Sequence, residues 1–352
     1  MRVLALLCIT SALSCNAATV IDQRGRSIEF AIPPQRLVVI PIPMASVIMT
    51  LDGSSRRIVG MHPAARQSIA DGFLHSVFPE ARQIAADITR GGQFTPNVES
   101  ILALRADAVV TWSEPAEAVA TLERAGLRVV TLINNPSTRE QHESNLRIMA
   151  QLLGRTEQVS RILAEQDRTR TLVERAMTGL AEDARPRVLY FRQFRQSMVP
   201  AGAATFQNYW LQMAGGRNAA ASLQGLSTPV TLEQIVAWNP QVILLGTFDD
   251  AVPAEVYALP ALAGVDAVRN KRVFRLPHGG YRWDPGSHES HLTFLWAAKV
   301  LHAKRAAFDV RGELRKAYES LYQRLLSDDE TDGILALAAN RDSDNYAAAF
   351  GR

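Results

Sequence analysis

Cysteine is nearly absent from this sequence: of 352 residues only Cys8 and Cys15 are cysteines, and both lie in the first fifteen positions. From Asn16 onward no residue can form a disulfide or act as a thiol nucleophile. The remaining chain therefore depends on a buried core, which an apolar content of 47% with 21% charged residues can supply. At this length two domains are the default expectation.

An excess of charge of one sign is also lacking. Lys and Arg number 38 and Asp and Glu 35, and the net charge of +3 is too small to indicate a nucleic-acid surface. The sequence has no glycine-rich phosphate loop, no Gly-x-Ser-x-Gly nucleophile turn and no convincing carboxylate pair. These absences argue against an enzyme. No run beyond the first twenty residues approaches eighteen apolar residues, so no membrane span is predicted there.

The N-terminus has the features of an export signal. Met1-Arg2 is followed by an apolar run, Val3–Leu13, and by small residues over Ser14–Ala18. The run is too short to span a bilayer as a helix, so we expect residues 1–17 to be a signal peptide and the mature protein to be periplasmic. The segment Ala12–Cys15 loosely resembles a lipoprotein processing box, which leaves open a lipid anchor at that cysteine.

Strand and helix patterns alternate in the first part of the chain, which predicts parallel strands covered by helices. The resulting α/β lobe is expected to span residues 18–135. The predicted strands are Arg36–Ile40, Arg57–Met61, Asp107–Thr111 and Arg128–Ile133, and the predicted helices are Asn97–Arg105 and Glu117–Ala125.

Residues 136–185 lack strand patterns and predict a helical connector, in which Gly154 separates two helices, the second near Thr156–Leu180. The α/β pattern resumes over residues 186–326, which predicts a second lobe. Residues 327–352 are expected to form a tail that is peripheral or partly disordered. In the second lobe the predicted strands are Arg187–Phe191, Val242–Leu245 and Arg272–Leu276, and the predicted helices are Gln207–Ala214, Leu232–Trp238, Glu289–Leu301 and Arg311–Leu326.

An internal repeat relates the two predicted lobes. Val98–Val110 aligns without gaps on Leu232–Leu244, and the apolar positions coincide. A short helix leading into a buried strand is a common pattern, so chance is a competing explanation. The shared second residue, Glu99 in one segment and Glu233 in the other, favours two pseudo-symmetric lobes.

Short motifs follow one another along nearly the whole mature chain: Val20-Ile21-Asp22 with Gly25-Arg26, Pro33–Val38, Ile58–Gly60, Pro96–Ile101, Gly215–Asn218, the second glutamate segment, Trp283-Asp284 and Leu295–Lys299. In this order they resemble the helical-backbone (class III) periplasmic substrate-binding proteins of siderophore, haem and cobalamin ABC importers. One departure is Ala106 before Asp107, where the family usually has proline; the other segment keeps it as Pro240.

The resemblance implies an α/β fold of two Rossmann-like lobes with parallel sheets, joined by a long rigid α-helix. It also implies a monomer that captures a metal chelate, foremost a ferric siderophore, in the cleft between the lobes. No intrinsic cofactor is expected, because the iron chelate is cargo. The partner is then an ABC permease dimer in the inner membrane, onto which Glu99 and Glu233 would dock. Each glutamate also suits the first turn of its helix, where the dipole favours a carboxylate.

Cleft residues are expected on loops after the strand ends. Arginine beside an aromatic side chain suits a flat anionic chelate. The loop around Tyr281 is the strongest candidate, because three large side chains after Gly279-Gly280 are not expected to be buried together. The predicted ligand-binding residues are Met44, Phe94 with the preceding Gly92-Gln93, Trp112, Arg192, Arg195, His278, Tyr281, Arg282 and Trp283.

A second hypothesis is direct binding of free nickel, zinc or manganese through His278, His288 and His291. His288 and His291 are three residues apart at a predicted helix start and would share a face. A metal needs about three converging ligands, however, and one exposed with one packed histidine is the plainer interpretation. His62 is a weaker candidate. Cobalamin and haem stay open as ligands, haem less so because no tyrosine precedes Tyr190.

Overall fold

A computed structural model of the chain describes residues 18–91, 93–225 and 228–352. The predicted leader, residues 1–17 with both cysteines, lies outside the described residues, as does Gly92. Within the described ranges no helix has both the length and the apolar character needed to cross a bilayer.

The first lobe contains an antiparallel hairpin and a four-stranded parallel sheet. The strands are β1 Ala18–Ile21, β2 Ser27–Phe30, β3 Leu37–Val39, β4 Ile58–Met61, β5 Ala108–Trp112 and β6 Val129–Leu132. The hairpin joins β1 to β2, and the sheet has the order β4-β3-β5-β6. Every residue of β3, β5 and β6 is buried, as expected for parallel strands covered on both faces. The four predicted sheet strands are confirmed to within one residue at each end.

Helices pack on this sheet and connect its strands: α1 Ile42–Asp52, α2 Pro63–Asp71, α3 Leu74–Val77, α4 Val98–Ala103 and α5 Ala116–Arg124. Two longer helices follow, α6 Arg139–Leu153 and α7 Thr156–Met177. Gly154 ends α6 with a φ of 68°, the left-handed conformation that glycine adopts without strain, so the predicted break is confirmed.

The second lobe repeats the parallel arrangement. Its strands are β7 Arg187–Gln193, β8 Val199–Pro200, β9 Arg217–Asn218, β10 Val242–Leu245 and β11 Val273–Arg275. Strand β7 pairs in parallel with β9 and β10, β10 pairs in parallel with β11, and β8 joins β7 antiparallel. The helices are α8 Phe206–Met213, α9 Leu232–Trp238, α10 Pro253–Tyr257, α11 Asp266–Arg269, α12 Ser290–Leu301, α13 Val310–Tyr322, α14 Asp328–Ile334 and α15 Tyr346–Phe350.

The two connecting helices pack on different lobes. Helix α6 packs against α1 and β1, whereas α7 packs along α12 and also contacts α8. With 22 residues at about 1.5 Å each, α7 is roughly 33 Å long. The connection is therefore a helix pair that is buried against both lobes along its length.

Equivalent hydrogen bonds hold the repeat in both lobes. The backbone N–H of Arg36, just before β3, donates to Asp107 Oδ2 over 2.9 Å, and that of Arg187, at the start of β7, donates to Gln241 Oε1 over 3.0 Å. Each arginine Nε then donates to the carbonyl of a matched residue, Arg105 after α4 and Asn239 after α9, over 3.1 Å in both lobes. Asp107 and Gln241 are matched positions of the sequence repeat, so the predicted pseudo-symmetry is confirmed down to single contacts.

The C-terminal segment is part of the core, and the expectation of a peripheral tail is wrong. Tyr346 and Phe350 of α15 are fully buried, and the Tyr346 hydroxyl donates to the Leu335 carbonyl over 2.6 Å. Trp296 of α12 donates its indole N–H to the same hydroxyl over 2.9 Å. The alanine-rich composition of this segment gave no indication that two aromatic side chains, Tyr346 and Phe350, pack against α12.

Candidate functional site

A cavity of about 310 Å³ lies between the lobes, where the parallel strands of both sheets end. Such strand ends are where open α/β sheets bind ligands. Helix α6 contributes His142 and Asn145, so the connection between the lobes forms part of the wall. The other lining residues are Ile42, Pro43, Met44, Phe94, Trp112, Asn134, Asn135 and Pro136 from the first lobe, and Arg192, Phe206, Gln207, Gly225, Phe248, Tyr281, Pro285 and Gly286 from the second.

Aromatic rings form much of the wall. Phe94 meets Trp112 edge to face with centroids 6.2 Å apart, and His142 packs against Phe206 at 4.9 Å. Asn145 fixes the backbone after β6, because its side chain both accepts from and donates to Ile133 over 2.9 Å. The cavity walls are therefore held in place by contacts that do not need a ligand.

Among the described residues that line the cavity, Arg192 carries a positive charge and none carries a negative charge. Arg192, at the end of β7, lies over the Phe248 ring with its guanidinium carbon 4.8 Å from the centroid. Arg282 lies at the same distance from that ring and donates to the Thr247 carbonyl over 2.8 Å. Within the described part of the chain neither arginine forms an ion pair, and no Asp or Glu lines the cavity. The lining of the cavity therefore carries a positive charge.

One buried polar atom of the cavity wall, Trp112 Nε1, has no hydrogen-bond partner among the described residues. Leaving a buried polar group unpaired costs about 1–3 kcal/mol. An oxygen atom of a ligand would supply an acceptor for this indole N–H.

His142 is neutral at physiological pH. Burial lowers its pKa to about 4, while the nearby Gln166 side chain and Ser287 backbone oppose the shift. Gly286 lies against the imidazole so closely that a Cβ there would be 2.5 Å from Nδ1. The ring is thus fixed in a neutral state beside the cavity.

Comparison with known proteins identifies the family. A family model described as periplasmic binding protein matches residues 50–278. The chain belongs to the periplasmic binding protein family. Members of this family are substrate-binding components of ABC importers and not enzymes, and their place of action is the periplasm.

Relatives of this periplasmic binding protein include the molybdate-binding protein MolA of Haemophilus influenzae, which is 25% identical over 349 residues, 92% of this chain and 96% of MolA. A solved periplasmic solute-binding protein of Veillonella parvula is 26% identical with a TM-score of 0.82, covering 93% of this chain and 99% of the other. The structure of MolA with molybdate has a TM-score of 0.77 at 21% identity, covering 88% and 99%. These likenesses confirm the predicted two-lobed α/β fold.

Five of the predicted ligand-binding residues line the cavity: Met44, Phe94, Trp112, Arg192 and Tyr281. Met44 reaches it from the first turn of α1 and not from a loop, because the helix starts at Ile42, directly after Pro41. Arg195 lies off the cavity wall, where its Nε donates to Glu255 Oε2 over 3.0 Å. That pairing neutralises its charge.

The loop around Tyr281 does not project into solvent, and that expectation is wrong. Tyr281, Arg282 and Trp283 are only 1%, 8% and 0% exposed. The loop folds back on α13, and Trp283 is turned away from the cavity to donate its N–H to Glu289 Oε2 over 2.9 Å. Two adjacent glycines permit this close approach: a Cβ on Gly279 would be 1.9 Å from the Tyr318 hydroxyl.

The candidate histidine ligands do not converge on one point. His278 meets Ser68 Oγ at 3.2 Å, and His288 meets the Tyr322 hydroxyl at 2.6 Å and Thr50 Oγ1 at 3.1 Å. His288 and His291 are both buried, in contrast to the expected exposed and packed pair. No group of three potential metal ligands occurs in the described ranges of the chain.

Glu289 sits at the centre of the buried polar cluster behind the cavity. Its carboxylate accepts from Gly280 N–H over 3.0 Å and from the hydroxyls of Tyr318 and Tyr322 as well as from Trp283. Burial nevertheless raises its pKa to about 7. His62, the weaker metal candidate, caps α2 through Nδ1 and packs on Phe94 with centroids 5.0 Å apart.

Sequence reasoning missed several lining residues. Asn134 and Phe248 follow β6 and β10 within three residues, so the strand-end rule applied to Trp112 would have found them. His142 and Phe206 lie inside helices α6 and α8, where nothing in the local pattern separates a cavity residue from a packed one.

Proposed function

We propose that this protein captures a compact, anionic, oxygen-rich metal species, either a metal oxyanion or a small ferric chelate, and delivers it to its ABC permease. One observation carries the proposal: Arg192 and Arg282 share the Phe248 ring beside a cavity that no carboxylate lines. Arginine provides several N–H donors for carboxylate or oxyanion oxygens, and its charge would repel a bare metal cation.

The size of the cavity favours a small ligand. Its 310 Å³ is at the lower end of the roughly 300–1,000 Å³ range of small-molecule sites. A ferric siderophore, the ligand favoured by the sequence resemblance, has to be compact to fit without further opening. The molybdate-binding relative supports the oxyanion alternative, because its similarity extends over 92% of this chain.

Isothermal titration calorimetry of the mature protein tests the proposal. Sodium molybdate, sodium sulfate, ferric citrate, a ferric catecholate and nickel chloride are titrated separately at pH 7.5. We expect binding of molybdate or of one ferric chelate, with bare nickel silent. Tight binding of nickel with no response to any anion would refute the proposal. Native mass spectrometry of protein purified from its own host would weigh the cargo directly.

Docking to the permease is proposed to use Glu99 and Glu233. Both are exposed at matched positions of the repeat, and neither forms an ion pair with another residue in the described ranges. Two like charges at a fixed separation can set the docking register. The double variant Glu99→Arg with Glu233→Arg is expected to abolish uptake while calorimetric ligand affinity stays unchanged. Unchanged uptake would refute these roles.

A further inference from the structure

Large apolar side chains are rarely exposed on this protein. In residues 18–91, 93–225 and 228–352 the exposed ones are Ile21, Ile32, Leu102, Val236 and Leu325. Isolated exposed apolar residues are ordinary and need no explanation. Two of the five, however, occupy the same position of the internal repeat: Leu102 aligns with Val236, and each is 47% exposed.

The neighbours of these two residues are matched as well. Ile101 and Ile235, one position earlier, are both fully buried and fix the rotation of α4 and α9. Residues three apart on a helix share a face. Leu102 therefore lies on the same face as Glu99, and Val236 lies on the same face as Glu233.

Packing within either lobe does not account for the exposed pair. The buried isoleucine supplies the contact of each helix with its sheet, and a polar residue at the following position would satisfy the same fold. An exposed carboxylate and an exposed aliphatic side chain recur together at both copies of the repeat, which is the arrangement expected of a surface that meets two copies of one partner.

We propose that Leu102 and Val236 form the apolar half of a two-point docking surface, of which Glu99 and Glu233 form the charged half. This inference rests on the proposed docking role of the glutamates. The partner is the permease dimer, whose two subunits would each present a cationic side chain beside an apolar pocket. The carboxylates set register and encounter rate, whereas burial of the aliphatic side chains slows dissociation.

Biolayer interferometry on the importer from the same organism, held in nanodiscs, tests the proposal. The full mature protein is compared with the double variant Leu102→Ser with Val236→Ser and with Leu325→Ser, an apolar residue 77% exposed outside the repeat. We expect the double variant to bind roughly ten- to a hundredfold more weakly, mainly through faster dissociation, at both 50 and 500 mM NaCl. The Leu325→Ser control should match the wild type.

A second double variant, Glu99→Gln with Glu233→Gln, separates the two halves of the surface. Binding of this variant to the importer should depend much less on salt, and its complex should still dissociate slowly at both salt concentrations. Unchanged binding by the serine variant would overturn the apolar surface, as would an equal loss in Leu325→Ser. If the glutamine variant binds as the wild type does while the serine variant binds more weakly, the charged docking role fails and the apolar contact is still supported. Melting temperatures of all variants identify any loss due to unfolding.

Discussion

The Arg282 guanidinium stacks on the ring of Phe248, with its carbon 4.8 Å from the ring centroid. Arg192 lies over the same ring at the same distance, so one phenyl ring holds two like charges beside the cavity. A cation over a ring is worth about 0.5–2 kcal/mol, depending on solvation, which helps to offset their mutual repulsion. An anion between or beside them would remove the repulsion that remains.

Removal of the lining charge should weaken anion binding selectively. We expect Arg192→Gln to lower the affinity for the anion by roughly ten- to a hundredfold, as for loss of a charged hydrogen bond of about 1.5–3 kcal/mol. Arg195→Gln is the matched control, because Arg195 leaves the same strand but is paired with Glu255. Calorimetry with the anion that binds wild-type protein measures both. Equal losses in the two variants would contradict a role specific to Arg192.

Acid should destabilise the protein through its buried histidines. Burial lowers the pKa of His142 and His291 to about 4 and of His278 and His288 to about 3. An unfolded histidine has a pKa near 6.5, so below that pH the unfolded state binds more protons and stability falls as the pH falls toward 4. Each histidine contributes up to about 1.4 kcal/mol per pH unit to that slope.

Urea titrations between pH 7 and 4.5 measure the slope, to which the single group Glu289 contributes in the opposite sense across this range. His291→Gln should reduce the slope by about one proton, because one buried titrating ring is lost. A free energy of unfolding that is flat between pH 6.5 and 5 would show that these rings are not held neutral in the folded protein.

The raised pKa of Glu289 gives the free energy of unfolding a pH dependence opposite in sign to that of the histidines. Its folded pKa of about 7 lies above the value of 4.5 usual for glutamate, so its stabilising contribution is present below pH 4.5 and is lost as the pH rises to 7. Glu289→Gln lacks this titration. Relative to the wild type the variant should therefore gain on the order of 3 kcal/mol between pH 4.5 and 8. Urea unfolding of both proteins at the two pH values checks this; a constant difference would contradict the raised pKa.

The sequence predicted the repeated part of this fold well, and the reason is physical. Strands β3, β5 and β10 are buried on both faces, so they need continuous apolar runs that stand out in the chain. The tail could not be predicted in the same way. Its anchors, Tyr346 and Phe350, are two aromatics among small residues, and their burial depends on α12 being in place.

The site was only partly predictable, because two kinds of residue form it. Trp112 and Arg192 lie at strand ends, and topology alone brings strand ends of both lobes together. His142 lines the cavity because α6 packs against α1 and β1, and only the three-dimensional packing of that helix shows this. Trp283 failed as a candidate because its N–H is bound by the nearby Glu289 carboxylate, which is itself held by the distant Tyr318 and Tyr322.

A single methyl group added at Gly286, beside His142, should lower both stability and ligand affinity. Gly286→Ala would place a Cβ 2.5 Å from His142 Nδ1, so the imidazole or the loop has to shift at a cost of about 1–3 kcal/mol. We expect a lower melting temperature and weaker anion binding. Gly264→Ala is the control, since its Cβ would meet nothing within 4 Å. Thermal scans and calorimetry measure both; wild-type behaviour of the Gly286 variant would show that the loop yields freely.

The equivalent hydrogen bonds of Arg36 and Arg187 mark the segments that the two lobes share as a repeat. Helices α4 and α9 are anchored by equivalent bonds, and both carry the residues proposed to dock onto the permease dimer. Trp112, Arg192 and Phe248 line the cavity from positions outside the repeat. If the docking proposal holds, substitutions at these three positions would change which cargo is bound and leave the matched surface positions untouched.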